Sequence, residues 1–326
     1  MNAVDHNNVV IFDDRGIPSI MCRFVRPKDT EEVPAVFKIG DKVADAIYIS
    51  KYPNIVIDGR AYSMPMADPT VNITFDEAVQ ACRCKGLGWH LMTAVEYEYL
   101  LNQSREKGTM PHGNTDWGKD YYHNEEQGKV SNLGRTYTGT GPVTWNHDHT
   151  PYGVSDLNGN VWEWLAGLRI KDGVIEFIPG NKAASPYCDL SKDSTEWQQA
   201  ETSKGPVRAN VECGEITITD AVAADDYEPN YDGVRIEELE VKLSEIPQVL
   251  KDLGIIPDKR AEEEGKTYVY FDATEGEYLP FRGSAFNDTS NSGPSAPSLD
   301  NPRSNSDGNV GFRSAFYEVN GKLITE

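Results

Sequence analysis

The stretch GVSDLNGNVWEW, residues 153–164, constrains the fold more tightly than any other part of the chain. It crowds Asp156, Asn158, Gly159 and Asn160 into one turn and runs at once into Trp162, Glu163 and Trp164, using two of the chain's six tryptophans. Asn, Asp and Gly satisfy turn backbone locally and tolerate left-handed conformations. One reading is therefore a turn that delivers the chain straight into a core strand, on which both tryptophans pack. The two carboxylates of the stretch leave a second reading open, a turn wrapped around a cation.

The flanking sequence organises itself around this point. NNVVIF, DDRG and IPSIMCRFV read as two strands and a tight turn. Short strands continue through DAIYISKYPNIVIDGRAYSMP, with a turn at Asp58-Gly59. From Thr74 the period becomes helical: Phe75, Ala78, Val79 and Cys82 recur on one face, with Thr74 as N-cap and Glu77 three residues later. Gly86 and Gly88 close that helix. Thr93 and Glu96 open a second one, with Val95, Tyr99 and Leu100 inward. A Gly-, Asn- and Asp-punctuated stretch follows, rich in aromatic residues, and loops of this length in a domain are commonly functional. Residues 1–43 are expected to be an N-terminal strand and hairpin segment, and 44–326 the main domain. Within it, about 189–266 reads as an acidic, partly helical insertion projecting from the body.

The C-terminal stretch NDTSNSGPSAPSLDNPRSNSDGN is almost wholly Ser, Asn, Asp, Gly and Pro, which by composition is a flexible linker. It lies between the apolar, arginine-bearing strands EYLPFRGSAF and VGFRSAFYEV. Strands of this kind would hold both ends of the stretch in one sheet and turn it into a displayed loop on a rigid scaffold.

Charge and cysteine content exclude several functions. A formal net charge of −21 repels nucleic-acid phosphates and anionic membranes, and no basic stripe with interleaved aromatics offsets it. Neither a secretory signal pattern nor an apolar run of membrane-spanning length is expected. The five cysteines, Cys22, Cys82, Cys84, Cys188 and Cys213, form no framework spacing and are expected to be reduced thiols. A lone His147-x-His149 without a third spaced ligand reads as a polar loop and not as an iron site.

Four landmarks stand in order: PTVNITFDEAVQACRCKGLGWHLMTAVEYEYLL, GVSDLNGNVWEW, FRGSAF and NVGFRSAFY. Together they resemble the formylglycine-generating-enzyme type of C-type lectin fold. Leu91, Met92, Thr93 and Glu96 fall where that family has its LPT-x-x-E-W, and GNVWEW is unsubstituted. FRGSAF differs from the family's RGGSW at Ser284, Ala285 and Phe286. The resemblance implies an α+β C-type lectin fold, with two helices around small twisted antiparallel sheets, loop-rich, here with the acidic insertion. It also implies that Asp156, Gly159, Val161 and Glu163 hold a structural Ca²⁺, which two carboxylates and two main-chain carbonyls would suit. A hydrogen-bonded turn without metal is the alternative.

Enzymes of this family bind copper through cysteines placed shortly after RGGSW. No cysteine follows Cys213 here, so no copper is expected. The stretch resembles instead the variable region of diversity-generating-retroelement proteins, in which adenine mutagenesis of Asn codons never yields Lys, Glu, Gln, Met or Trp. None of those five occurs between Ser284 and Asn309. That resemblance implies a non-enzymatic protein with a variable region over about 282–313. Ala285, Phe286, Asn287, Asp288, Ser290, Ser295, Ser298 and Asp300 would be displayed. Trp162, Trp164, Arg282, Gly283, Phe312 and Arg313 would be scaffold, and NPRSNSDGN a fixed turn. The implied partner is a protein or glycan on a bacterial cell surface, met by a virion-associated phage or prophage receptor-binding protein folded in the host cytoplasm. The alternatives are an enzyme of the same superfamily with non-copper chemistry, and a non-diversified structural module.

Overall fold

Two reciprocal capping boxes fix where the helices begin. In the computed structural model, which describes residues 6–212, 214–224 and 226–323, helix α1 spans Phe75–Arg83 and α2 spans Ala94–Lys107. Thr74 and Thr93 each accept from the backbone of the glutamate three residues on, and Glu77 and Glu96 accept from the cap backbone in return. Each such cap contributes about 1 kcal/mol. Helix α2 ends on Gly108 in the left-handed region, where a residue without Cβ carries no strain. The buried face of α1 carries Phe75, Ala78, Val79 and Cys82; that of α2 carries Val95, Tyr97, Leu100 and Leu101.

One sheet joins the two ends of the described chain. The strands His6–Phe12 and Pro18–Val25 form the expected hairpin, with Asp13 accepting from the backbone of Arg15 and Ile17 in the turn. Pro18–Val25 pairs with Ala46–Ser50, which pairs with Ser314–Val319. Asp58 and Gly59, both at positive φ, turn the hairpin Ile55–Ile57 to Arg60–Tyr62.

The second, larger sheet corrects the reading of the acidic segment as a projection. Its strands run in the order Tyr231–Arg235, Tyr268–Asp272, Pro297–Pro302, Glu277–Arg282, Leu168–Lys171, Val174–Phe177, Arg208–Glu212, Glu215–Thr219 and Glu240–Lys242. Four of these strands come from the segment expected to project. Val207, Ala209, Val211, Ile216 and Ile218 bury one face, and they share a core with Tyr97, Leu100 and Leu101 of α2. The period-2 alternation outweighs the acidic composition, because the charges occupy the other face. Among the described residues of that segment only Gln248–Asp252 is α-helical, and its Leu250 enters the same core.

The strand Trp162–Trp164 positions the C-terminal stretch. It pairs antiparallel with Phe281-Arg282 and parallel with Val310–Phe312, so the strands bounding the Ser/Asn-rich stretch lie on its two sides. Trp164 is fully buried, stacks edge-on against Phe281 at 4.1 Å and Phe75 at 5.7 Å, and donates from its indole to Ile73 O. No helix among the described residues is long and apolar enough to cross a membrane.

Candidate ligand-binding site

The stretch between the two flanking strands is only partly a loop. Its residues Pro297–Pro302 form a strand, antiparallel to Glu277–Arg282 and parallel to Tyr268–Asp272. This register sets Ser298 beside both Tyr270 and Phe281. At that point the surface sinks into an open depression of about 230 Å³. Trp162, Tyr270 and Phe281 form its aromatic side, and Asp288, Ser298 and Asp300 face them. Asn301, Asn305, Asp307 and Asn309 complete the polar rim.

The rim is held by its own hydrogen bonds. Asn301 Nδ2 donates to Ser298 Oγ at 2.8 Å and to Asp300 Oδ1 at 3.1 Å, and Ser298 Oγ also bonds Asp300. Asn305 Nδ2 reaches Asn301 Oδ1 at 3.1 Å, and Asn309 Nδ2 reaches Asn287 Oδ1 at 3.4 Å. Asp288 accepts from the Ala285 amide at 2.7 Å. Burial pushes the Asp288 carboxyl up to about 6, against the lowering effect of that amide. Asp300 is raised by burial as well, partly offset by Ser298. The depression has no basic lining residue. Its chemistry therefore suits a ligand that donates hydrogen bonds or carries positive charge beside aromatic faces.

NPRSNSDGN is tied down behind this rim. Arg303 bonds Glu277 through Nε and Nη2, each at 2.9 Å, and reaches Asp76 at 2.7 Å. The turn anchors the stretch and, through Asn305, Asp307 and Asn309, also lines the site. Sequence reasoning assigned it only the first role, and it missed Tyr270 because that residue enters through a pairing across the sheet.

Four of the eight residues expected on display are buried, which corrects that expectation. Ala285 is fully buried, its methyl in the core cluster of Trp162, Trp164 and Phe281. Phe286 lies beneath Trp117: the rings meet edge-on at 4.9 Å, and the Trp117 amide donates to Phe286 O. It is Trp117, 58% exposed and at positive φ, that reaches solvent. Ser295 is fully buried and bonds Glu264, because a buried carboxylate needs donors that composition cannot foresee. Ser298 is 6% exposed yet borders the depression. Asn287 is exposed, and Asp288, Ser290 and Asp300 are half-buried.

The residues assigned to scaffold sit in the interior. Trp162, Trp164, Arg282, Gly283, Phe312 and Arg313 are all buried. Arg282 bonds Glu98 of α2 at 3.0 Å and lies over the Tyr97 ring, while Arg105 links Glu98 to Glu264. A Cβ on Gly283 would stand 2.7 Å from Leu157 O, so no larger residue fits.

Asp156, Gly159, Val161 and Glu163 do not fit a calcium ion. Both oxygens of Glu163 are taken by the guanidinium of Arg313, with Nε to Oε2 at 2.6 Å. Arg313 also donates to the carbonyls of Ser155 and Asp156, and Gly159 O already accepts from Val161 N. A second cation here would meet a fixed positive charge, a carboxylate with both oxygens taken and, at Gly159, a carbonyl already bonded. Burial raises the Asp156 carboxyl to about 6, and the Gly139 amide, Arg313 and Lys51 pull it back only in part. The turn wraps chain instead. Asn160 Oδ1 accepts from Thr136 N at 2.8 Å and Asn114 Nδ2 at 3.2 Å, while Asn160 N donates to Asn114 O. The long aromatic loop is thereby clamped to the core.

His147 and His149 do not converge on a common ligand: His147 Nδ1 accepts from Val154 N and His149 bonds Met110 O. Among the described residues no group of three or more His, Cys, Asp and Glu is placed to hold a metal ion. Cys22, Cys82, Cys84 and Cys188 are free thiols; Cys213 lies outside the described residues. Burial pushes Cys22 up to about 12 and Cys188 to about 11, which leaves them poor nucleophiles.

Residues 51–208, just under half of the chain, match the family described as the sulfatase-modifying factor enzyme 1-like domain. The formylglycine-generating enzyme of Mus musculus is 36% identical over 105 residues, which cover 30% of this chain and 27% of the enzyme. The chain thus spans about a quarter of the length of that curated relative. Among solved structures, the Major Tropism Determinant U1 variant is similar at 12% identity over 98% of this chain and 74% of that one, with a TM-score of 0.33. The P3c variant has the same identity and coverage, with a TM-score of 0.34. The two capped helices, the small antiparallel sheets and the family match make this an α+β, C-type lectin fold of the formylglycine-generating-enzyme type.

Proposed function

We propose that this chain is a non-enzymatic ligand-binding protein whose contact surface is the depression between Trp162, Tyr270 and the Asp288–Asn309 rim. One observation carries the reading: both strands bounding the Ser/Asn-rich stretch are paired to the Trp162–Trp164 strand, while the side chains between them line an open concavity. A rigid frame with exchangeable polar side chains keeps the ordering cost of binding low. The absence of Lys, Glu, Gln, Met and Trp between Ser284 and Asn309 supports diversification of this surface by a retroelement. The partner we infer is a protein or glycan on a bacterial cell, reached from a phage or prophage virion. The acidic, aromatic-sided site favours a partner surface presenting lysine, arginine or hydroxyl groups.

Replacing Asp288, Asp300, Asn305 and Asn309 together by alanine and measuring adsorption to candidate bacterial cells tests this reading. Adsorption should fall at least tenfold while the unfolding midpoint stays within a few degrees. Unchanged adsorption to a cell type that the parent protein binds would refute it. The family match favours one second reading, an enzyme of the same superfamily. It would need chemistry other than copper–thiolate, since no cysteine follows Cys213.

A further inference from the structure

A second cavity, separate from the depression, lies where the loop after α2 meets the segment around Glu263 and the turn at Ser292. It holds about 300 Å³ and is lined by His112, His123, Tyr122, Asn158, Glu263 and Lys266, among others. Asn158 is only 7% exposed; its Nδ2 donates to Pro111 O, but its Oδ1 has no hydrogen-bond partner among the described residues. A buried acceptor without a donor is costly, and in a cavity it is a place for a ligand's N–H or O–H.

The two histidines define what that ligand carries. Their rings stack at 3.7 Å with planes 6° apart. Nδ1 of His112 lies against Glu126 at 3.0 Å, and Nδ1 of His123 against Asp120 at 3.1 Å. A carboxylate only accepts, so each Nδ1 carries the hydrogen, and Nε2 is the ring nitrogen left for any lone pair. Parallel stacked rings direct those lone pairs along parallel planes, which cannot converge on one metal ion. Asp120, Glu263 and Glu264 line the cavity against the single lining cation Lys266, and Arg105 is already committed to Glu264. That balance disfavours an anion. Met110 and Pro294 supply apolar wall.

We propose that this cavity binds a primary alkylammonium group, with Asn158 Oδ1 as its buried acceptor and Glu263 as its counter-charge. Such a group belongs equally to a lysine side chain and to a free polyamine.

Calorimetric titration of the full chain with Nα-acetyl-lysinamide, putrescine, glucose and inorganic phosphate tests the assignment. The two amines should bind at least tenfold more tightly than glucose or phosphate, and the tighter amine identifies the source. Asn158→Leu should weaken amine binding at least tenfold. Glu263→Gln, at an exposed position that leaves the fold intact, should weaken it about threefold, the loss of one partly screened charge pair. Glucose or phosphate binding as tightly as the amines, no binding of either amine, or a Glu263→Gln protein that binds amines like the parent would each overturn it. None of these measurements involves the depression, so the outcome is independent of cell adsorption.

Discussion

Arg313 and Glu163 form a fully buried, two-pronged ion pair that joins the last core strands to the strand bearing both tryptophans. Burial alone would raise the glutamate and depress the guanidinium; each holds the other's charge in place. Removing one partner leaves an uncompensated charge in the interior. Arg313→Ala is therefore expected to cost about 3–5 kcal/mol, read as a lower urea midpoint. Glu163→Gln should cost somewhat less, because the amide retains one acceptor for the guanidinium. An Arg313→Ala protein as stable as the parent would show that the pair does not hold the strands together.

The same pair makes a prediction about metal. With both Glu163 oxygens already bound, EDTA should leave the melting temperature unchanged, and added Ca²⁺ should not raise it. A calcium-dependent rise of several degrees, lost in Glu163→Gln, would show that Arg313 yields its place to an ion.

Asp288 predicts a pH dependence. Its carboxyl is pushed up to about 6 in the fold, from an ordinary value near 3.8 in the unfolded chain. A folded value above the unfolded one means that the native state binds the proton more tightly. Ionisation then costs stability, and the cost appears as pH rises from about 4 to about 6, reaching at most about 3 kcal/mol. Asp288→Asn should flatten this part of the stability profile, measured by denaturant unfolding at stepwise pH. An unaltered profile would place the titration elsewhere.

The buried serine and its half-exposed neighbours should separate cleanly. Ser295→Ala removes a donor from Glu264 and should cost about 1–3 kcal/mol. Asn287→Ala or Ser290→Ala should cost about 0.5 kcal/mol or less, as exposed substitutions usually do. Thermal unfolding of the three single variants decides it; equal losses at all three would mean that the stretch is structural throughout.

Local signals were legible in the chain: the Thr74 and Thr93 caps, the Asp58-Gly59 turn and the pairing of both ends of the Ser/Asn-rich stretch all follow from short patterns. Glu163 was legible as a carboxylate beside a turn, expected to hold calcium, but not as the partner of Arg313, 150 residues away. Ser295 reads as surface by composition, because Glu264, the group that needs its hydroxyl, lies in a segment whose acidity suggests solvent. Tyr270 could not be assigned to the depression without the parallel register that sets it against Ser298. Where a residue's role depends on a distant partner, sequence spacing carries no trace of it.

The placement of Trp162–Trp164 between Phe281-Arg282 and Val310–Phe312 has a consequence for how the surface can fail. Both anchors of the stretch pair with one three-residue strand, and the Glu277–Arg282 anchor is held further by Leu168–Lys171 and Pro297–Pro302. Loss of that three-residue strand would take a pairing partner from both anchors in a single step. Intact, it sets the two ends of the stretch on its two sides, while the paired Pro297–Pro302 strand and the ion pairs of Arg303 hold the middle.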